Sequence, residues 1–428
     1  MNILVLGSGG REHAIVCSLA RSPHSEQIFV APGNGGTAAG VVNVDIDIMD
    51  GQAVVQFAQV NRVGLVVVGP EAPLVAGIAD SVRAAGIDCF GPVAAGAIIE
   101  GSKQFSKDLM SKYEIPTAEY AVFEEANAAL AYLKTHPAPI VVKADGLAAG
   151  KGVTVAETDA EAQAAVRDCF AGRFGKAGAK VVIEEFMTGP ECSLLAFVDG
   201  QRMLPMVPAQ DHKRAWEGDK GPNTGGMGVY SPVPIVTEAE HQEMIALMQK
   251  TVQALRSEAI DYRGVLYGGF MLTERGPRVL EYNARFGDPE TQVVLPLLKS
   301  DLVEIMLACS RAELGNITLE WRQDWAVSVV LASAGYPDSY ETGKPISGIE
   351  AAEALDQVTV FHAGTRRDFA NQVYSNGGRV LNVTALGDTF EAARALAYKA
   401  VDLIDFEGKT FRRDIGERAL GGRKAWES

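Results

Sequence analysis

The chain has 428 residues, a formal net charge of −15 and an apolar content of 47%. This length exceeds what one hydrophobic core supports, so roughly two to four domains are expected, and the composition is typical of a soluble globular protein. The negative charge argues against nucleic acid or an anionic membrane as a partner. An anionic small substrate could still bind where lysines, arginines or helix N-termini hold it.

The five cysteines are scattered along the chain and never form a CxxC pair. They indicate buried thiols in a reducing cytoplasm rather than a disulfide framework or a zinc site. The apolar run at 2–7 lacks a basic segment before it and is too short for a signal peptide, and no window reaches the roughly eighteen apolar residues of a membrane span. A cytoplasmic, monomeric protein is therefore expected.

The N-terminal part of the chain alternates between short apolar runs and helical patterns. This alternation predicts a doubly wound parallel sheet, which binds ligands at the C-terminal ends of its strands. Strands are predicted at 2–7, 27–31, 64–68 and 88–90, and glycine-rich polar loops follow the first three of them at 7–13, 32–37 and 69–74.

The first of these loops turns directly into a predicted helix. A glycine turn before a helix exposes backbone N–H groups at the positive helix end, where phosphate binds. The loop departs from the dinucleotide fingerprint because Glu12 stands in place of the third glycine. The second strand also ends in Ala31-Pro32-Gly33, with no acid placed for a ribose hydroxyl. Phosphate binding is therefore predicted, and a nicotinamide-dependent oxidoreductase is disfavoured.

A further glycine-rich loop, at 144–151, lies between predicted strands at 139–143 and 152–156. It looks like a phosphate cradle but is not a Walker A motif, because three residues rather than four separate its glycines and a strand follows it. We interpret it as a flexible hairpin loop that closes over phosphates, with Lys143 and Lys151 supplying charge. A mobile surface hairpin is the alternative.

Two further segments are rich in polar residues. A predicted strand at 180–186 ends in acids, and Glu191 follows it. The segment 210–231 shows little regular pattern and contains many Asn, Thr and Gly residues. Irregular segments of this length inside compact enzymes are usually functional or disordered. We interpret 210–231 as a binding loop rather than a linker.

The segment 281–292 contains a candidate metal site. Glu281 and Asn283 lie two residues apart on a predicted strand, so their side chains project from the same face. A carboxylate beside an amide oxygen suits Mg²⁺. The residues at 284–292 predict a tight polar loop, and an exposed strand end before a solvated turn is the alternative. The region beyond them, with strand signals at 326–331, 358–361 and 379–383 and a helix at 390–403, predicts a small α+β domain.

The two-lysine hairpin, the acidic strand end and the Glu281-x-Asn283 pair together resemble the ATP-grasp fold. The chain further resembles the phosphoribosylamine–glycine ligase (glycinamide ribonucleotide synthetase) family, over essentially its whole length and in the same order. The motifs that carry this resemblance are Gly9-Gly10-Arg11-Glu12-His13, Ala31-Pro32-Gly33-Asn34, Gly69-Pro70-Glu71-Ala72-Pro73-Leu74, Lys143-Ala144-Asp145-Gly146-Leu147-Ala148-Ala149-Gly150-Lys151-Gly152 and Arg285-Phe286-Gly287-Asp288-Pro289-Glu290-Thr291-Gln292. The last of these motifs is the most specific.

The resemblance implies an enzyme of de novo purine synthesis. ATP, glycine and 5-phosphoribosylamine would give glycinamide ribonucleotide, ADP and phosphate, with Mg²⁺ or Mn²⁺ as the metal. The implied domains are an N-terminal doubly wound substrate-binding domain at 1–101, an ATP-grasp domain at 102–324 and a small C-terminal α+β domain at 325–428. Within the ATP-grasp domain, a hairpin-bearing lid subdomain would span about 118–188.

The resemblance also implies a nucleotide and metal site. Glu281 and Asn283 match the metal ligands, and because the predicted strand at 266–272 carries no acid, water would complete the coordination. The residues expected to meet ATP are Lys103, Lys143 and Lys151 at the phosphates, Gly146, Gly150 and Gly152 in the cradle, the backbone of Glu184, Glu185 and Phe186 at adenine, and Glu191 at the ribose.

Substrate and catalytic residues follow from the same resemblance. Those expected at the substrates are Gly9, Gly10, Arg11, Glu12 and Asn34 for the phosphoribosyl moiety, Glu71, and Thr224, Gly225 and Gly226 for glycine. Arg285 would hold the carboxylate or acyl phosphate in its planar fork. Lys151 would neutralise charge during phosphoryl transfer. Asp288 would hold an ammonium or take a proton, with a structural Asp-Pro turn as the alternative.

Two other functions fit part of the sequence. A different ATP-grasp carboxylate–amine ligase would share the nucleotide site but not the substrate loops. A nucleotide-binding regulatory module without catalysis is disfavoured, since a mere binder needs no metal-templated phosphoryl site.

Overall fold

The computed structural model describes residues 1–37, 40–147, 152–173 and 175–421, and all bounds below refer to them. No helix in these ranges combines the length and hydropathy needed to cross a bilayer.

The N-terminal part is a parallel sheet with helices packed on it. Its order is β3-β2-β1-β4-β5, and all neighbouring strands are parallel. The elements are β1 (Asn2–Gly7), α1 (Gly10–Leu19), β2 (Gln27–Pro32), β3 (Val41–Asn43), α2 (Gly51–Val60), β4 (Val63–Val68), α3 (Glu71–Val75), α4 (Ile78–Ala84), β5 (Asp88–Phe90) and α5 (Ala94–Gly101). Ile3 and Val5 are buried in one core, and Leu4 and Leu6 in another. Burial on both faces explains the continuous apolar run of β1 and confirms the predicted doubly wound sheet.

A smaller antiparallel sheet follows, in the order β6-β9-β7-β8. Its elements are α6 (Lys103–Lys112), β6 (Tyr120–Phe123), α7 (Ala126–Leu133), β7 (Ile140–Ala144), β8 (Val153–Ala156), α8 (Asp159–Phe170), a 3₁₀ helix (Gly175–Ala179) and β9 (Val181–Glu185). The Ser102 hydroxyl caps α6 by accepting from the Phe105 N–H at 3.1 Å. The predicted hairpin is present, with Lys143 opposite Val153. This sheet forms a core of its own with α7 and α8.

The central part contains a second antiparallel sheet, in the order β11-β10-β16-β17. The elements are β10 (Glu191–Asp199), β11 (Met203–Pro205), β12 (Gln210–Asp211), β13 (Arg214–Trp216), β14 (Lys220–Asn223), β15 (Gly228–Ser231), α9 (Glu238–Ser257), β16 (Arg263–Thr273), β17 (Gly276–Asn283), α10 (Thr291–Leu297), α11 (Leu302–Arg311) and a 3₁₀ helix (Leu314–Asn316). Glu281 and Asn283 lie at the end of β17, opposite Gly269 and Tyr267 of β16.

The C-terminal sheet has the order β12-β15-β18-β22-β19, with β23 paired to β18. Its part of the chain contains β18 (Trp325–Ser333), α12 (Ile349–Glu353), β19 (Val358–His362), β20 (Thr365–Arg367), β21 (Val373–Ser375), β22 (Arg379–Gly387), α13 (Phe390–Val401), β23 (Lys409–Thr410) and α14 (Glu417–Leu420). Helix α13 packs on β18 and β22, which agrees with the α+β architecture predicted for this region.

The interpretation of 210–231 as an irregular segment was wrong. It forms β12 to β15, of which β13 and β14 pair with each other. β12 and β15 instead join the C-terminal sheet, with Gly228 opposite Val329 of β18. Strands of two to four residues are too short to show an apolar alternation, and β15 in addition pairs with β18, which begins only at Trp325.

Candidate active site

Side chains from the N-terminal, central and C-terminal parts of the chain meet around one polar cavity of about 380 Å³. The predicted site residues that line it are Arg11, Glu71, Lys103, Lys143, Gly146, Gly152, Glu184, Thr224, Gly225, Glu281, Asn283, Arg285 and Asp288. A second, more apolar cavity of about 200 Å³ adjoins it and is lined by Glu185, Phe186 and Glu191. Both cavities are lined by Lys143, Glu184 and Glu281, so the predicted adenine and phosphate regions are continuous.

The remaining predicted residues are distributed around this centre. Glu12 and Asn34 line a small hollow at the start of α1. Among the described residues, Gly9, Gly10 and Gly226 line neither of these two adjoining cavities. Gly150 and Lys151 lie outside the described residues, so the phosphate contacts expected of them stay predictions.

Three lysines, Lys103, Lys107 and Lys143, line the polar cavity, and Lys143 also lines the second one. The Nζ atoms of Lys143 and Lys107 both contact Glu184 Oε2, at 2.8 and 3.1 Å. Burial opposes the charge of Lys143, but the Glu184 and Glu281 carboxylates outweigh it and raise its pKa. For Lys107, burial dominates and lowers the pKa to about 8. Lys103 Nζ donates to the Gly146 carbonyl at 3.3 Å. This cluster is suited to a polyanionic ligand such as a nucleotide phosphate chain.

The buried Glu184 carboxylate forms ion pairs with Lys143 and Lys107. Burial would raise its pKa, but Lys143 and Lys107 lower it below its usual value, so the carboxylate is ionised. Glu184 also pairs with strands on both sides, and the Glu185 N–H donates to the Glu119 carbonyl at 2.9 Å. Phe186 is therefore the first residue of the predicted adenine segment to lie beyond the strand.

The donor chemistry of Glu281 and Asn283 fits a hard divalent cation. Burial would raise the pKa of Glu281, but Lys213, Lys143 and Lys103 outweigh it and keep the carboxylate ionised. The Asn283 amide is best assigned with its nitrogen donating to Tyr282 O and Glu100 Oε1, both at 3.2 Å, which turns its oxygen away from Glu100.

No group of three or more His, Cys, Asp or Glu side chains within the described ranges is arranged as metal ligands. The pair would therefore bind Mg²⁺ or Mn²⁺ together with water or ligand oxygens.

Arg285 is held by two carboxylates. Its Nη2 lies 2.9 Å from Glu100 Oε1, and its Nε lies 3.5 Å from Glu71 Oε2. Burial opposes its charge, but Glu100 and Glu71 raise its pKa above the ordinary value. These acids fix the guanidinium at the cavity wall and use part of its donor capacity.

Asp288 faces the first turn of α1. Its Oδ2 accepts from the Arg11 N–H at 3.3 Å, and its Oδ1 lies 3.3 Å from Arg379 Nη1. Burial would raise its pKa, but Arg379 and Arg11 hold it below the usual value. A carboxylate with a depressed pKa is a weak proton acceptor and a good partner for an ammonium group. The depressed pKa disfavours the proton-acceptor role, and ammonium binding by Asp288 stays a prediction.

Glu12 explains the departure from the dinucleotide fingerprint. Its Oε2 accepts from the Gly9 N–H at 2.7 Å. A Cβ at Gly69 would lie only 2.2 Å from Glu12 Oε1, so this side chain fills the space against that loop. The N–H groups of Gly9 and Arg11 are thus engaged by Glu12 and Asp288. Direct phosphate binding by these two N–H groups would require those carboxylates to move.

The loop that contains Asn34 is fixed from the C-terminal domain. Asn34 Nδ2 donates to the carbonyls of Ser8 and His362, at 2.9 and 2.8 Å. His13 Nδ1 accepts from the His362 N–H at 2.9 Å, so its Nε2 carries the proton donated to the Gly36 carbonyl at 3.0 Å. The Asn34 side chain therefore stabilises its own loop.

The histidines His13 and His362 predict acid sensitivity. Burial lowers the pKa of His13 to about 4 and that of His362 to about 3, both from 6.5. The unfolded chain then binds more protons below pH 6.5, so stability is complete above that pH and falls on acidification. The expected loss is roughly 1.4 kcal/mol per pH unit for each ring, down to its folded pKa.

Urea unfolding at pH 7 and pH 5 measures this loss. His362→Gln should reduce the difference between the two pH values, whereas an unchanged difference would contradict the assignment. The variant His136→Gln serves as a control, because the His136 side chain is exposed and the difference between the two pH values should stay the same.

Several cavity residues had not been assigned a role from the sequence. Lys213 Nζ lies 3.0 Å from Glu191 Oε2 and 3.2 Å from Asp211 Oδ1. Burial raises the pKa of Asp211 to about 7, even though Lys213 opposes it. The others are Lys107, Glu100, Glu290 and Arg379. Three of these residues had a local signal, because Asp211 and Lys213 lie in the polar segment already interpreted as a binding loop and Glu290 lies in the motif at 285–292.

Family models match nearly the whole chain. They are phosphoribosylglycinamide synthetase N domain at residues 1–100, ATP-grasp (A) domain at 101–291 and C domain at 326–418. The phosphoribosylamine–glycine ligase of Allochromatium vinosum is 53% identical, over 99% of this chain and 100% of the relative. That of Escherichia coli K12 is 50% identical, over 98% and 99%.

Solved structures agree. The crystal structure of phosphoribosylamine–glycine ligase from Thermotoga maritima has a TM-score of 0.85 at 35% identity, covering 97% of this chain and 100% of that one. A biotin carboxylase from Campylobacter jejuni has a TM-score of 0.75 at 13% identity, covering 98% and 95%, and is similar in fold alone. On the family models and these identities, the chain belongs to the phosphoribosylglycinamide synthetase, or phosphoribosylamine–glycine ligase, family of ATP-grasp ligases.

Proposed function

We propose that this chain joins glycine to 5-phosphoribosylamine at the expense of ATP, giving glycinamide ribonucleotide, ADP and phosphate in de novo purine biosynthesis. The observation that carries the proposal is the continuity of the two cavities. They place a buried lysine cluster, the ionised Glu281 and the Arg285–Asp288 loop around one space. Family membership supports the same reaction.

ATP would lie across both cavities. Its adenine would occupy the more apolar one beside Phe186, and its phosphates would meet Lys103 and Lys143. Glu281 and Asn283 would hold Mg²⁺ or Mn²⁺, which supplies charge neutralisation on the phosphates when bound. The lysines supply further positive charge at the transferring group, where positioning and electrostatics matter most.

The reaction would have two steps. A glycine carboxylate oxygen attacks the γ-phosphorus, the bond to the β-phosphate oxygen breaks, and ADP leaves, giving glycyl phosphate. The phosphoribosylamine nitrogen then attacks the acyl carbon, and phosphate leaves with the oxygen that came from glycine. The nitrogen releases one proton as the amide forms. Activation is needed because a carboxylate is a poor acyl donor.

Substrate roles follow from the charges around the cavity. Arg285 would hold the carboxylate and then the acyl phosphate. The main chain of 224–226 would bind glycine, and Asp288 would hold an ammonium group. The phosphoribosyl moiety would lie toward α1 and Glu71.

A cytoplasmic site of action is supported by the cysteines, since all five are free thiols. A monomeric state remains a prediction from the sequence.

Omission assays test the proposed function. ADP release is measured with Mg²⁺ and ATP, with and without glycine and freshly made phosphoribosylamine, and turnover should require both. ADP formation that depends on another acid or amine would contradict the substrates. Absence of any ATP turnover would contradict the enzyme class.

A further inference from the structure

Two side chains of the C-terminal domain hold the backbone N–H and the backbone carbonyl of Gly225. The Gly225 N–H donates to the Tyr336 hydroxyl at 2.9 Å. Its carbonyl accepts from Arg379 Nη1 at 2.6 Å. Gly225 lines the polar cavity within the segment proposed to bind glycine, whereas Tyr336 follows β18 and Arg379 begins β22.

Arg379 also links this segment to the loop after β17. The same Nη1 donates to the Asp288 carbonyl at 2.9 Å and lies 3.3 Å from the Asp288 carboxylate. Burial opposes its charge, but Asp288 outweighs it and raises the pKa of Arg379, so the guanidinium stays charged. One side chain thus joins two segments more than sixty residues apart, Gly225 and Asp288.

The close approach of these groups requires small residues. A Cβ at Gly225 would lie 2.9 Å from Arg379 Cζ, and one at Gly378 would lie 2.2 Å from Tyr336 Cδ2. The Ser333 N–H donates to the Gly378 carbonyl at 2.8 Å, tying the ends of β18 and β22 together. Tyr336 therefore packs against the residue that precedes Arg379, and both side chains reach Gly225 from the same end of this sheet.

We propose that Tyr336 and Arg379 are positioning residues that set the Gly225 peptide and the Asp288 carboxylate for substrate binding. This inference rests on the proposed function, because it takes the 224–226 main chain and Asp288 as parts of the substrate site. Losing the pair would loosen both segments and weaken glycine binding. The nucleotide lysines Lys103 and Lys143 lie on other elements and would keep their positions.

Steady-state kinetics on Arg379→Met, Arg379→Lys and Tyr336→Phe test the inference. Since bonds to a charged group are the stronger ones, we expect the KM for glycine to rise by about 10- to 100-fold in Arg379→Met. The rise should be smaller in Tyr336→Phe, and Arg379→Lys should recover part of the loss. ATP affinity, measured by calorimetry, should stay close to that of the unaltered enzyme.

Arg394→Met is the matched control. Arg394 also donates to backbone carbonyls, those of Ile415 and Arg413, but it does not line the polar cavity. Its KM for glycine should be unchanged.

An unchanged KM for glycine in Arg379→Met would overturn the inference, and so would an equal loss of ATP affinity, which would mark a general structural role. These outcomes count once the unaltered enzyme shows glycine-dependent turnover. Absence of that turnover would instead contradict the proposed function.

Discussion

Replacing Arg285 with alanine is expected to lower glycine-dependent ADP release by roughly 10²- to 10³-fold, because a preorganised donor facing developing charge is lost. ATP binding should be largely retained, since the lysine cluster lies on other elements. Arg285→Lys should recover little activity, because an ammonium cannot reproduce the planar fork. Stopped-time ADP assays and ATP titration measure the two effects.

The structure calls for a second variant in this experiment. Removing Arg285 leaves the Glu100 carboxylate, 2.9 Å away, without its charged partner, and a broken buried ion pair costs about 3–5 kcal/mol. The double variant Arg285→Ala, Glu100→Gln removes that buried charge and should recover stability without recovering activity. Normal turnover in either variant would contradict the role given to Arg285.

Glu281→Gln is expected to reduce ADP release by about 10²-fold or more and to raise the Mg²⁺ concentration needed for half-maximal activity, because a neutral amide is a weaker ligand for a hard cation. The change keeps the size of the side chain but removes a negative charge that lies among Lys213, Lys143 and Lys103. A Mg²⁺ titration of ADP release measures both effects.

Glu274→Gln is the control, because Glu274 is exposed in the turn of the same β16–β17 hairpin. Its Mg²⁺ dependence should be unaltered. An unaltered Mg²⁺ dependence in Glu281→Gln would contradict the assignment of Glu281 as a metal ligand.

Local patterns predicted much of the fold. The apolar run of β1 is buried on both faces, so its sequence alone indicated a parallel sheet. The β7–β8 hairpin could also be predicted, because its two strands are adjacent in sequence. β12 and β15 were not found, since β12 pairs only with β15, and β15 pairs with β18, which begins almost a hundred residues later, at Trp325. Pairing between strands so far apart cannot be predicted from a short stretch of sequence.

The site residues that could be predicted were likewise those with a local signal in the sequence. Glu281 and Asn283 could be recognised because two residues on one strand present their oxygens together. Arg379 and Glu100 gave no such signal, since each is a single charged residue that only the packing of distant elements brings to the cavity. Glu12 was recognised as an anomaly of the glycine loop, but its capping of Gly9 is visible only in the structure.

Isotope transfer from glycine is the most direct test of the acyl phosphate mechanism. Glycine labelled with ¹⁸O at both carboxylate oxygens is turned over with ATP, Mg²⁺ and phosphoribosylamine, and the products are analysed by mass spectrometry. We expect one labelled oxygen in the released phosphate, the other in the amide carbonyl of the product, and ADP as the nucleotide. Unlabelled phosphate, or AMP in place of ADP, would contradict glycyl phosphate formation at this site.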